Sequence, residues 1–186
     1  MINGEWHEIQ YVTLARSGDT LGSNTFGLLV DKDGQPIHEH NDAGAKSDVK
    51  DISNNPDFTS LLDVNGKLYS ITQFESPRPG VAYVSEMEQS SDGELTLTST
   101  TPIDFSSWGG VWIPCAGSVT PWGTHLGSEE YEPDARPLDE TPDQEASGSV
   151  TTFLRYFGEY KATATGAETR TAGFFPYNYG YAWEAQ

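Results

Sequence analysis

Short apolar runs separated by turn-forming residues alternate along this 186-residue chain, and that pattern predicts an all-β fold. WHEIQYVTLA, residues 6–15, reads as a strand and gives way to the turn-rich SGDTLGSN. FGLLVDKDGQP is a second apolar run, ended by Asp33-Gly34, a strong turn signal. Residues 38–56 are polar and without periodicity, which predicts a loop. Two hairpins follow. FTSLLDV and KLYSITQF flank Asn65-Gly66, the preferred dipeptide of a tight type I′ turn. VAYVSEME and ELTLTST flank Ser90-Ser91-Asp92-Gly93, and Leu95 and Leu97 alternate with Thr96 and Thr98 as in a half-buried strand. GVWIPCAG is a further short strand leading into TPWGTHLGSEE. Residues 132–148 are Pro-rich and acidic and read as a loop or flexible insert. TTFLRYFGEY fits either a short helix or a strand, and FFPYNYGYAWE closes the chain as an aromatic, strand-like run. With no terminating turn before Gln186, the expectation is a domain that continues beyond it. Hairpins at this spacing suit a propeller or a sandwich equally, and no clean repeat separates the two.

Composition sharpens this picture in two respects. Five Trp, nine Tyr and eight Phe argue for a folded domain, since disordered chains are poor in aromatic residues. Ten basic against twenty-eight acidic residues give a net charge of -18, which argues against nucleic acid or an anionic membrane as partner. The same charge suits cation binding, or solubility alone. No stretch approaches the about 20 apolar residues of a membrane span. MINGEWHEIQ lacks the basic region and apolar core of a signal peptide, so either the protein is cytoplasmic or its start is missing.

The single cysteine, Cys115, rules out an intramolecular disulfide and leaves a buried thiol, an intermolecular bridge or a metal ligand. It opens the densest segment of the chain, CAGSVTPWGTHLGSEEY, in which Gly117, Pro121 and Gly123 restrict the backbone ahead of two adjacent carboxylates. A thiolate and a carboxylate brought together can hold iron or zinc; the plainer alternative is a buried cysteine beside an exposed acidic loop. Adjacent strand residues point to opposite faces, so Glu129 and Glu130 are expected to differ in role, Glu129 taking the structural or solvent side. His38-x-His40 has a chelating spacing without a third ligand, and His125 could serve as a general acid. Asp31-Lys32-Asp33-Gly34 lacks the later acidic ligands of a calcium loop and is better explained as a turn. Trp122 is expected to pack under the loop.

This segment resembles the signature C-x-G-x-x-T-P-W-G-T-x-L-x-x-E-E of the PhoX-type alkaline phosphatases and their relatives of unknown function, with about ten identities at fixed spacing. NPDFTSLL resembles the family's Asn-x-Asp-Phe-Thr segment, and YNYGYAWE a strand that follows the motif. The resemblance spans roughly residues 50–186. It implies a six-bladed β-propeller, of which residues 1–186 are the N-terminal portion, exported to the periplasm or beyond. It further implies hydrolysis of phosphate monoesters with ferric iron and calcium in the propeller funnel. Cys115 and Glu130 fall on iron ligands, and Asn55, or else Asn54, on the phosphate-contacting asparagine; apart from the resemblance, Glu129 could face a second cation. The family's remaining carboxylates and its phosphate-binding arginine are expected further downstream, so the chain by itself is expected to be inactive. The rival reading is a non-catalytic secreted propeller-type binding or surface protein of the same family. A third is a cytoplasmic β-domain with an incidental cysteine.

Overall fold

A computed structural model describes residues 4–6, 8, 11–41, 44–76 and 79–186. Most of its regular structure is antiparallel sheet, and none of the sheets closes on itself. Two small hairpins come first: β1 (Thr20–Leu21) with β2 (Asn24–Thr25), and β3 (His38–His40) with β4 (Lys46–Lys50). A four-stranded meander follows, of β5 (Pro56–Val64), β6 (Lys67–Phe74), β7 (Val81–Gln89) and β8 (Leu95–Pro102). A three-stranded sheet then forms from β9 (Pro114–Val119), β10 (His125–Glu129) and β11 (Ala182–Ala185), with β10 in the middle.

Local chemistry accounts for the meander. Asn65 and Gly66 both adopt positive φ, 56° and 79°, as the type I′ turn requires. Leu95 and Leu97 point inward while Thr96 and Thr98 face solvent. On the inner side, Phe26, Leu29, Ile37, Phe74, Val81 and Tyr83 form one apolar cluster, to which the Tyr83 hydroxyl adds a hydrogen bond to the Leu28 carbonyl at 2.6 Å.

Between β10 and β11 the chain is helical: α1 (Ala135–Glu140), α2 (Gly148–Phe153) and α3 (Gly166–Ala172), with short 3-10 turns at Leu154–Phe157 and Pro176–Asn178. This segment packs Leu138, Phe153, Phe174 and Tyr179 around Trp112 in a second core. Arg155 anchors it to the first half of the chain. Its guanidinium donates to Asp51 at 2.7 Å and to the His38 carbonyl at 3.2 Å, and both members of the ion pair are buried.

Three expectations are corrected here. Residues 11–15 are not strand, and Tyr11 lies on the surface; His7, Ile9 and Gln10 of the same run fall outside the described residues. In the run at 26–36, residues 26–29 are buried and 32–35 exposed, and the run makes only isolated bridges, Leu28 to Ile52 and Val30 to Pro36. The loop expected at 38–56 contains the β3–β4 hairpin. The acidic stretch 132–148 holds α1, capped by Asp134, whose side chain accepts from the Arg136 amide. The ambiguous TTFLRYFGEY is helical, and Asp31 caps its expected turn by accepting from the Asp33 and Gln35 amides.

Candidate metal centre

Antiparallel pairing places the start of one strand beside the end of the next, and that rule brings Asp57, Glu75 and Cys115 together with Glu130 beside them. Asp57 is the second residue of β5 and Glu75 follows the last residue of β6. Cys115 is the second residue of β9 and Glu130 follows the last residue of β10. The two sheets meet through β5 and β9. Gly117 permits this approach, since a Cβ there would lie 2.4 Å from the Phe58 ring and 3.0 Å from the Gln73 amide nitrogen. The Gln73 side chain ties the sheets further, donating to the carbonyls of Cys115 at 3.1 Å and Ala116 at 3.0 Å.

The ligand atoms of Asp57, Glu75 and Cys115 all lie within 4.8 Å of one another. The Cys115 thiol donates to Asp57 Oδ2 at 3.0 Å. Glu75 lies close enough to Asp57 and Glu130 for both to act on its ionisation, and Glu130 acts likewise on the Tyr131 hydroxyl. Burial, followed by the charges of Asp57 and Glu130, raises the Glu75 carboxyl above its usual range. The hydrogen bond to Asp57 is the largest cause that pushes the Cys115 thiol up to about 12, with burial and the three carboxylates adding to it. A thiol held protonated by crowded carboxylates becomes a thiolate ligand once a cation supplies the opposing charge. One soft and several hard donors suit iron or zinc, while calcium would draw on the carboxylates alone.

Glu129 and Glu130 part company at a β-bulge, where the pairing of β9 with β10 shifts register between Gly127 and Glu129. Glu129 turns to the main chain and accepts from the amides of Trp112 at 2.6 Å, Gly180 at 2.6 Å and Tyr181 at 3.4 Å. Its expected structural side is therefore the one it takes. Ile113 and Tyr131 flank this pair with φ of 42° and 55°, a region that costs a non-glycine residue roughly 1–3 kcal/mol.

The other residues of the motif hold the hairpin between β9 and β10. Thr120 and Thr124 bond across it, hydroxyl to hydroxyl at 2.8 Å and Thr124 amide to Thr120 hydroxyl at 3.0 Å. Trp122 does not pack beneath the loop as expected; it is 70% exposed and donates to Glu184 at 2.7 Å. His125 is completely buried, with Nδ1 2.8 Å from the Ser60 hydroxyl. Burial holds its pKa down at about 4. A neutral, enclosed imidazole does not serve as a general acid to substrate.

The structure thus brings Cys115 of the sequence reading together with Asp57 and Glu75, and it leaves Glu130 beside that group, near enough for its charge to act on Cys115 and Glu75. Asp57 lies within NPDFTSLL, two residues past Asn55, and was available to that reading; Glu75 carries no local signal. Asn55 is exposed next to the cluster, its carbonyl accepting from the Glu75 amide at 2.9 Å. His38 and His40 lie outside the cluster, His38 beside the Ser47 carbonyl and His40 stacked on Tyr160 at 4.0 Å. No family model, curated protein or solved structure matches the chain. The PhoX-type resemblance therefore rests on the motif residues themselves.

Proposed function

We propose that the chain carries part of a PhoX-type, metal-dependent phosphatase site. In this reading β5–β8 is one propeller blade and β9–β11 belongs to the next, with strands β5 and β9 nearest the funnel. The observation that carries the reading is the meeting of Cys115 with Asp57 and Glu75, two carboxylates and a thiol supplied by two sheets, with Glu130 beside them. These four residues hold the cation, and iron fits the donor set best. Bound there, such an ion supplies Lewis acidity toward a phosphoryl oxygen. Asn55 offers an exposed amide at the rim for a phosphate ester. The resemblance implies calcium alongside iron and a periplasmic or extracellular location. No described helix is long and apolar enough to cross a membrane.

The alternative is a non-catalytic cation-binding surface protein of the same family, which would use the same cluster. Both readings require the cation, so binding is tested before turnover. Thermal melts of the chelator-stripped chain are expected to show stabilisation by ferric iron or zinc. The gain is about 2.7 kcal/mol at a hundredfold excess over Kd, and it disappears in Cys115→Ser and Glu130→Gln. Equal stabilisation of wild type and both variants would reject the site. The isolated chain is expected to leave a fluorogenic phosphate monoester intact, whereas chelator-sensitive turnover by it would favour a complete catalytic site.

A further inference from the structure

The Glu129 carboxylate accepts main-chain amides from two separate segments of the chain, and none of its hydrogen bonds goes to Asp57, Glu75 or Cys115. One carboxylate oxygen holds the Trp112 amide, and the other holds the amides of Gly180 and Tyr181. Its own amide donates to the Tyr181 carbonyl at 3.1 Å, and the next amide, Glu130, donates to the Ile113 carbonyl at 2.9 Å. The Trp112 indole closes the loop by donating to the Tyr131 carbonyl at 2.6 Å. Two residues in the left-handed region, Ile113 and Tyr131, are thereby trapped between hydrogen-bonded neighbours. Ile113 lies two residues before Cys115, and Tyr131 directly follows Glu130.

This geometry bears on how the two ligands are set. A β-branched residue such as Ile113 leaves a left-handed conformation unless its surroundings hold it there. Release of the Trp112 amide frees Ile113 to relax, and Cys115 moves with it. Release of Gly180 and Tyr181 loosens the partner strand behind β10, and Glu130 moves with that strand. A carboxylate is suited to this task because it is acceptor-only and can serve both sides. A carboxamide of the same shape must turn its NH2 toward one amide group and lose that side.

We propose that Glu129 is a positioning residue, a carboxylate strap that sets the separation of Cys115 and Glu130 by holding the Trp112–Ile113 turn and the Gly180–Tyr181 turn against the end of β10. The proposal deepens the cation-site reading and rests on it. Its test uses the full chain and cobalt(II), whose charge-transfer absorption with a thiolate reports Cys115 directly, with Cys115→Ser as the control that lacks the band. Glu129→Gln is expected to keep wild-type far-UV circular dichroism and a cooperative melt while weakening cobalt binding roughly 10–100-fold and altering the thiolate band. Wild-type affinity and an unchanged band in Glu129→Gln would overturn the strap and leave the cation site standing. No thiolate band in the wild type would reject the cation site. The strap is then decided without metal, by the alkylation rate of Cys115: a changed rate in Glu129→Gln supports it and an unchanged rate overturns it. Should Glu129→Gln not fold, the same comparison is made in an Ile113→Gly background, where the left-handed conformation carries no penalty. Weaker cobalt binding on adding Glu129→Gln supports the strap, and no change overturns it.

Discussion

The two larger sheets solve different problems with the same antiparallel geometry. In the β5–β8 meander the inner positions of β6 and β7 are closed by an apolar cluster around Phe74 and Tyr83. In the β9–β11 sheet the facing positions are polar or vacant of side chain. Gly117 lies against Phe58, Gly127 pairs with Trp183, and His125 is enclosed with Ser60. Side-chain atoms Gln73 Oε1, His125 Nε2 and Trp183 Nε1 are buried there without a protein partner. Register shifts occur in both sheets, but left-handed Ile113 and Tyr131 stand together at the end of the β9–β10 pair. The first sheet maximises burial; the second gives up burial to place Cys115 and Glu130. Strain and polarity collect where chemistry is expected, and regular packing supports them from the side.

The largest effect that separates the sheets is a core truncation in the first. Phe26→Ala removes an aromatic side chain packed on Phe74 and Tyr83, and should cost about 3–5 kcal/mol in urea melts without changing cation affinity relative to the folded chain. A loss of affinity in the folded variant would mean that the two regions are not separable.

Next comes acid sensitivity of the second sheet. His125 has its pKa lowered from 6.5 to about 4 by burial, so the unfolded chain takes up this proton first as the pH falls. The stability it confers is present above about 6.5 and is lost as the pH drops through 4. His125→Gln should remove roughly 3 kcal/mol of the difference between melts at neutral and acid pH. An identical acid limb in both proteins would show that His125 is hydrated in solution.

A smaller effect is expected from Gly117→Ala. Its Cβ would fall 2.4 Å from the Phe58 ring, so β9 must move away from β5, at about 1–3 kcal/mol. The sharper readout is cation affinity, which should fall more than stability does, because Cys115 and Asp57 lie on the two strands being separated. Unchanged affinity with lowered stability would place Gly117 in packing alone.

The hairpins were legible because Asn65-Gly66 and the Leu95/Leu97 alternation state local geometry outright. β4 was not, since four of its five residues are exposed and no hydrophobic alternation marks it. α1 was hidden for a related reason: its one buried residue is Leu138, in a stretch whose Pro and acid content reads as loop. α3 did announce itself through the capping box of Thr165 and Glu168, a signal that was passed over. At the site, Cys115 and Glu130 came from a contiguous motif. Glu75 could not, because only the pairing of β5 with β6 and the meeting of β5 with β9 bring it there.

The central claim is that Cys115 and the surrounding carboxylates share one cation. X-ray absorption on the zinc-loaded chain tests it most directly, because the ion reports its own ligands. A single sulfur scatterer at about 2.3 Å with oxygen donors completing the shell, and no sulfur in Cys115→Ser, is the predicted result. A zinc shell of oxygen or nitrogen alone in the wild type would contradict the account.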